Sequence, residues 1–214
     1  MSRCDPNCPR TCAGEDGIYV AGGDSQTLIV STNCVDWEQR PLPGDLRSLA
    51  RGSTNWVAIA GGSIIASADL ANWTTTGTPY SFGPVFDSVT YGSGRFVVTG
   101  AWGFDEAQAS RASVILYSDD STHWHFAPIG DLDAFGEIRT STFAAGQFVA
   151  VLGRNVLRSS DGVAWTKISA PPGAIWSHRS CWVPDGTICG GGRPRRNPRL
   201  RRRTNLERDQ RRAE

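Results

Sequence analysis

The 214-residue sequence has no run of eighteen apolar residues, a single methionine and a single lysine, and only three histidines. The first absence excludes a transmembrane helix, which needs about 20 consecutive apolar residues. The opening residues also lack the apolar stretch of a signal peptide, so none is expected and the compartment stays open. No CxxC pair and no second His/Cys cluster accompanies Cys4, Cys8 and Cys12, whose even spacing matches no dependable zinc pattern. They read as a loop closed by a local disulfide or as free thiols. Cys34 falls in a turn, and Cys181 and Cys189 fall in predicted strands as small core residues. What is abundant is glycine (24) and tryptophan (8), which suits an all-β repeat protein from an arginine-favouring genome. The length leaves room for a sizeable core.

The small net charge conceals an asymmetry. Residues 1–192 carry 12 Lys and Arg against 18 acids, a balance of −6, whereas residues 193–214 carry 10 Arg against 3 acids, a balance of +7. The chain therefore divides into a Cys-rich N-terminal segment (1–15), a repetitive body (16–192) and an Arg-rich tail (193–214) expected to be disordered. No aromatic residue interleaves the arginines of 193–203, so base stacking has no support there. Nucleic acid enters as a partner only through this tail, if at all, by charge.

The body is organised by one motif. A Ser, an Asp or Asn two residues on and a Trp six residues on recur four times: Ser31, Asn33 and Trp37; Ser67, Asp69 and Trp73; Ser118, Asp120 and Trp124; Ser159, Asp161 and Trp165. The hydroxyl and the carboxyl or amide can each accept backbone N–H groups two or three residues on, which holds a tight turn from within. Gly162 supplies the positive φ such turns favour. A short apolar run precedes each turn, an aromatic-led run such as Trp56–Ala60 or Phe96–Gly100 precedes that, and a Ser-led run precedes most of those, at Ser48, Ser88, Ser141 and Ser180. Four strands per unit, at a period of about 35 to 50 residues, make the blade of a β-propeller. The four Trp are expected to fill the gaps between blades and to be interchangeable in role.

These turns resemble the Asp-box (BNR) repeats of sialidase-like β-propellers, over roughly residues 16–192. The Trp here comes one residue earlier than in the usual box. The resemblance implies an all-β fold of four-stranded antiparallel blades, about four to five in number, with ring closure open. The first unit, residues 18–41, shows no Ser-led strand of its own, so the strand at Ser180 has two placements. It either completes the first blade or begins a fifth.

A sialidase, as the resemblance describes it, needs an arginine triad, a Tyr/Glu nucleophile pair, an Asp acid/base and an Arg-Ile-Pro motif. No Arg-Ile-Pro occurs, and Tyr91 and Tyr117 sit at repeat positions. Asp69, Asp120 and Asp161 are turn formers, and Asp105, Glu106, Asp131 and Asp133 read as solvated loop acids. His123 and His125 flank Trp124 on one side of a strand and read as solvent-facing. No catalytic residue, cofactor or metal is assigned, and the balance leans away from an enzyme.

Binding residues concentrate on loops over a rigid scaffold. In an antiparallel blade the Ser-x-Asp turns lie at one end, and the second-to-third and blade-to-blade connections lie at the other. The longest such connection, residues 101–112, carries Trp102, Phe104, Asp105 and Glu106, and the linkers add Tyr80, Phe82 and Trp176. Trp102 and Phe104 have no repeat counterpart, so no packing role shared by the blades requires them. The sequence thus reads as a recognition module for a glycan or protein ligand. Degenerate sialidase-like hydrolase and structural part of a phage or cell-surface assembly stand as alternatives.

Overall fold

The computed structural model describes residues 11–15, 17–78, 84–102, 112–129, 136–153, 155–169, 181–182 and 188–189. Within them the chain is all β, with four antiparallel four-stranded sheets met in sequence order. Blade one comprises β1 (Thr11–Glu15), β2 (Ile18–Gly22), β3 (Thr27–Ser31) and β4 (Glu38–Pro41). Blade two comprises β5 (Leu46–Arg51), β6 (Trp56–Ala60), β7 (Ser63–Ser67) and β8 (Thr74–Thr75). Blade three comprises β9 (Val85–Gly92), β10 (Arg95–Ala101), β11 (Ser113–Ser118) and β12 (His125–Phe126). Blade four comprises β13 (Ile138–Ala144), β14 (Gln147–Leu152), β15 (Asn155–Ser159) and β16 (Thr166–Ser169). A further hairpin joins β17 (Cys181–Trp182) to β18 (Ile188–Cys189).

One expectation is corrected here and one alternative decided. Blade one does have a first strand, because Thr11–Glu15 pairs antiparallel with Ile18–Gly22 from Thr11↔Gly22 to Glu15↔Ile18. Its sequence, Thr-Cys-Ala-Gly-Glu, has no apolar alternation to announce it. The strand after Ser180 consequently does not complete blade one; it pairs with β18 and opens a fifth unit.

The first strands of successive blades adjoin one another, β1 to β5, β5 to β9, β9 to β13 and β13 to β17, which makes them the inner strands of a propeller arc. Behind them the strands alternate. In β6, Trp56, Ala58 and Ala60 pack toward blade one, while Val57 and Ile59 pack toward blade three. In β10, Phe96 and Val98 face blade two and Val97 faces blade four. This period of two on sheets covered on both faces gives three separate apolar clusters, each shared by two blades. Close approach has its own requirement: a Cβ on Gly92, at the end of β9, would stand 2.1 Å from Cγ of Phe143 in blade four.

The tryptophans follow the same logic and separate into different roles. Trp73 packs into the cluster between blades one and two, Trp124 into that between two and three, and Trp165 into that between three and four. Each Trp therefore reaches back to the preceding blade. Trp124 makes this explicit, since its indole N–H donates to Thr76 Oγ1 of blade two at 3.0 Å. Trp37, on blade one, has no described blade before it and is 42% exposed. Identical positions in the repeat are thus unequal in environment, and interchangeability does not hold.

Polar side chains reinforce each junction toward the turn of the next blade. Arg40 donates to the Asp69 carbonyl at 2.7 Å, Asn55 to Ser121 Oγ at 2.9 Å and Arg95 to the Asp161 carbonyl at 2.8 Å. Arg95 also pairs with Asp119 at 2.6 Å and lies over the Tyr117 ring, 4.9 Å from its centroid.

Candidate functional site

The two ends of the blades differ in what they leave available. At the turn end, Ser67 Oγ accepts Leu70 N–H (2.9 Å) and donates to Asp69 Oδ1 (2.9 Å), while Asp69 Oδ1 accepts the N–H groups of Ala71 and Asn72 at 2.9 and 2.8 Å. The same scheme is built by Ser31 with Asn33 and by Ser159 with Asp161. Ser118 with Asp120 repeats the serine-to-carboxylate bond and the two N–H groups taken by the carboxylate. The residue after the Asp or Asn has positive φ in all four: Cys34, Leu70, Ser121 and Gly162. Backbone N–H groups hold the carboxyls of Asp69, Asp120 and Asp161 below their ordinary value of 3.8. For Asp120 the His123 backbone N–H leads, joined by the His123 ring at 2.6 Å. These acids are occupied by their own turns, so their capacity for a ligand is small.

At the other end, three successive inner strands carry the same irregularity. The β5–β6 register jumps between Leu46 and Ser48, the β9–β10 register between Phe86 and Ser88, and the β13–β14 register between Ile138 and Ser141. Each jump inserts one extra residue against the partner strand, and counting from the aromatic that leads the second strand puts Arg47, Asp87 and Arg139 at that place. A bulge re-aims a side chain that regular pairing would fix, and bulges are common beside functional sites. All three residues carry charge. Arg47 Nη1 pairs with Asp87 Oδ1 at 2.5 Å across the blade junction, and Arg139 pairs with Glu137 on its own segment. The guanidinium groups remain half-exposed while Asp87 and Glu137 are mostly covered.

Serines beside the bulges fix how the inner strands meet. Ser48 Oγ accepts the N–H of Val89 at 3.0 Å, and Ser88 Oγ accepts that of Ser141 at 3.1 Å. Ser48 and Ser88 are equivalent, whereas Ser141 stands one step further along, in the receiving position of Val89. The Ser-led pattern placed all three in one class. The structure separates them, because blade four has Thr140 where the others have the bonding serine.

Of the residues nominated from sequence for ligand contact, Tyr80, Phe82, Phe104, Asp105, Glu106 and Trp176 lie outside the described residues. Trp102 leaves β10 at the bulge end of blade three, where its N–H donates to the Ala112 carbonyl at 2.8 Å. Its side chain is half-buried against the cluster of blades two and three, a contact with no counterpart in the other blades' motif. Arg47, Asp87 and Arg139 were missed because isolated charges in short strands look like solvent-facing positions. Their common place before the Ser-led runs was the available signal. His123 and His125 are exposed, and no group of three or more His, Cys, Asp or Glu suited to a metal occurs among the described residues.

Neither a family model nor a curated protein matches the sequence. Solved structures do match in fold. A virginiamycin B lyase from Staphylococcus aureus superposes with a TM-score of 0.58 at 15% identity, covering 74% of this chain and 54% of that one. A streptogramin B lyase gives 0.59 at 11% identity, with 76% and 54% coverage. YCF48 bound to D1 peptide gives 0.57 at 15% identity, with 85% and 60% coverage. The chain is a β-propeller module. It spans a little over half the length of these structures.

Proposed function

We propose that this propeller is a recognition module that binds a peptide segment of a protein ligand at the bulge end of its inner strands, with the 101–112 connection as the rim of the site. The observation that carries the reading is the bulge repeated in three blades, which brings Arg47, Asp87 and Arg139 to one end of adjoining strands. Two half-exposed guanidinium groups on either side of the mostly covered Asp87 suit a partner with side-chain carboxylates and backbone carbonyl groups. The peptide seen on the YCF48 propeller supports the same ligand class. The turn end, whose acids are satisfied internally, is the scaffold side. The kinship with Asp-box propellers belongs to this reading, with the boxes as fold elements and not as binding groups.

The test is a display of random peptides and, in parallel, a glycan array, each probed with wild type and with the Arg47→Ala/Arg139→Ala variant. Peptide capture that the double substitution weakens at least about tenfold, the loss of one or two charge-assisted contacts, is expected. Glycan capture unaffected by that variant, or peptide capture abolished by Asp161→Asn while the fold persists, would show the face or the ligand class to be wrong.

A further inference from the structure

Each arginine of the bulge end is held by a carboxylate, and the sequence decides which one. The residue two places before the bulge is Asp45 in blade two, Val85 in blade three and Glu137 in blade four. In blade four that acid serves its own bulge, since Glu137 Oε2 accepts both Nε and Nη2 of Arg139. In blade two it is engaged elsewhere. Asp45 Oδ1 accepts the N–H groups of Ser25 and Gln26 at 3.1 and 3.2 Å, two successive residues of positive φ in the β2–β3 connection. Arg47 therefore reaches across the junction, where its Nη1 donates to Asp87 Oδ1 at 2.5 Å. Both pairs share one asymmetry: the Asp87 and Glu137 side chains are 18% and 14% exposed, whereas each arginine is 48% exposed. The acids are set below the surface and the arginines at it.

We infer that Asp87 and Glu137 are internal stand-ins for ligand carboxylates, so that the segment recognised at this end is acidic and binds by taking over arginine donors these two acids occupy. The inference rests on the peptide-site reading above. A guanidinium donates from a planar fork that matches a carboxylate, and carboxylate is what both arginines hold here. A ligand carboxylate brought to Arg47 competes with Asp87 for the fork and is repelled by it at the same time. The built-in acid thus has two effects of opposite sign. It orients the arginine side chain in advance, which lowers the ordering cost of binding. It also cancels one unit of the positive charge that draws an acidic segment in. Because Asp87 and Glu137 are mostly covered, neither presents its own charge to a basic group on the ligand. The second effect therefore governs, and these two acids set how weakly an acidic segment is held.

Fluorescence anisotropy of the full chain with fluorescein-labelled hexaglutamate, and with hexaglutamine as the neutral control, tests this. Asp87→Asn and Glu137→Gln keep the shape of each acid and remove its charge, so each should tighten hexaglutamate at least about threefold, the worth of a partly exposed ion pair. The gain should shrink as salt is raised. Asp36→Asn removes the same charge at the turn end and should leave the affinity within about twofold of wild type. Adding Arg47→Gln to Asp87→Asn, or Arg139→Gln to Glu137→Gln, should cancel the gain. A cooperative melt checks the fold of each variant, and the two acids give independent readings. Unchanged or weaker binding by Asp87→Asn and Glu137→Gln, with the arginine substitutions still lowering capture, overturns the inference and leaves the site standing. Arginine substitutions without effect on hexaglutamate remove the site and the inference together. An equal gain in Asp36→Asn reduces the effect to net charge and overturns it. So does labelled oligothymidylate held by Asp87→Asn more tightly than hexaglutamate, which would make the ligand a nucleic acid.

Discussion

Replacing Trp124 and Trp37 by alanine in parallel isolates what the preceding blade does for each repeat. Trp124 is 5% exposed among Ile59, Val98 and Leu116, so truncation removes a whole indole from a packed junction. Large aromatic truncations of this kind cost about 3–5 kcal/mol, most of it lost transfer energy and residual cavity. The hydrogen bond adds little to that figure, because Thr76 Oγ1 also donates to the Ile64 carbonyl at 3.1 Å and is not left orphaned. Trp37→Ala, at an exposed position, should change stability by no more than about 0.5 kcal/mol. Trp73, half-buried with an indole N–H that has no partner, should fall between them. The assay is urea unfolding followed by far-ultraviolet circular dichroism. Equal losses for Trp37→Ala and Trp124→Ala, or a Trp124→Ala loss under about 1 kcal/mol, would refute the account of the blade junctions.

Two further outcomes follow from the turns. The carboxyls of Asp69, Asp120 and Asp161 are lowered from 3.8, so each turn's contribution is complete above that value and is lost as pH falls through the lower folded value. The urea midpoint should therefore drop below about pH 4, and amide exchange should show the Asn33 turn, which has no carboxylate in its Ser-x-Asn pair, outlasting the other three; simultaneous loss of all four would contradict this. Gly162 has φ +77°, and a Cβ there would stand 2.7 Å from Val97 Cγ2, so Gly162→Ala should cost about 1–2 kcal/mol. Cys34, exposed at φ 60°, should accept glycine with a change between zero and a gain of about 1 kcal/mol, and a comparable loss at both sites in thermal melts would refute the role given to backbone handedness.

The turns and the blade pattern were legible because each is written in consecutive residues. A serine that bonds two and three positions on, and strands that alternate Val with Ala, need no knowledge of distant chain. What the sequence concealed depends on neighbours. Trp37 and Trp124 have the same local motif and opposite burial, because burial is conferred by the blade before. Leu70 occupies a left-handed position where Gly162 would be the natural choice, and burial of its side chain at 2% exposure compensates the backbone. Arg47 and Asp87 looked like ordinary surface charges until a shared register jump put them at equivalent places. β1 went unseen because Cys12, Ala13 and Gly14 carry no strand signature, and its existence is decided by pairing with β2.

The serine hydroxyls that tie one inner strand to the next imply that the unit of inheritance and the unit of folding are out of step. One blade is a single stretch of chain and can be copied as such. Its hydroxyl, the Arg or Asn side chain that reaches the next turn and half of its apolar surface, however, are completed only by the blade that follows, and its tryptophan only by the blade that precedes. A lone blade cut from this array would hold its turn and little else, so stability is a property of several neighbouring blades together. Duplicating a blade anywhere along the array, by contrast, adds one whole junction and breaks none, which lets an array of this design lengthen by simple copying.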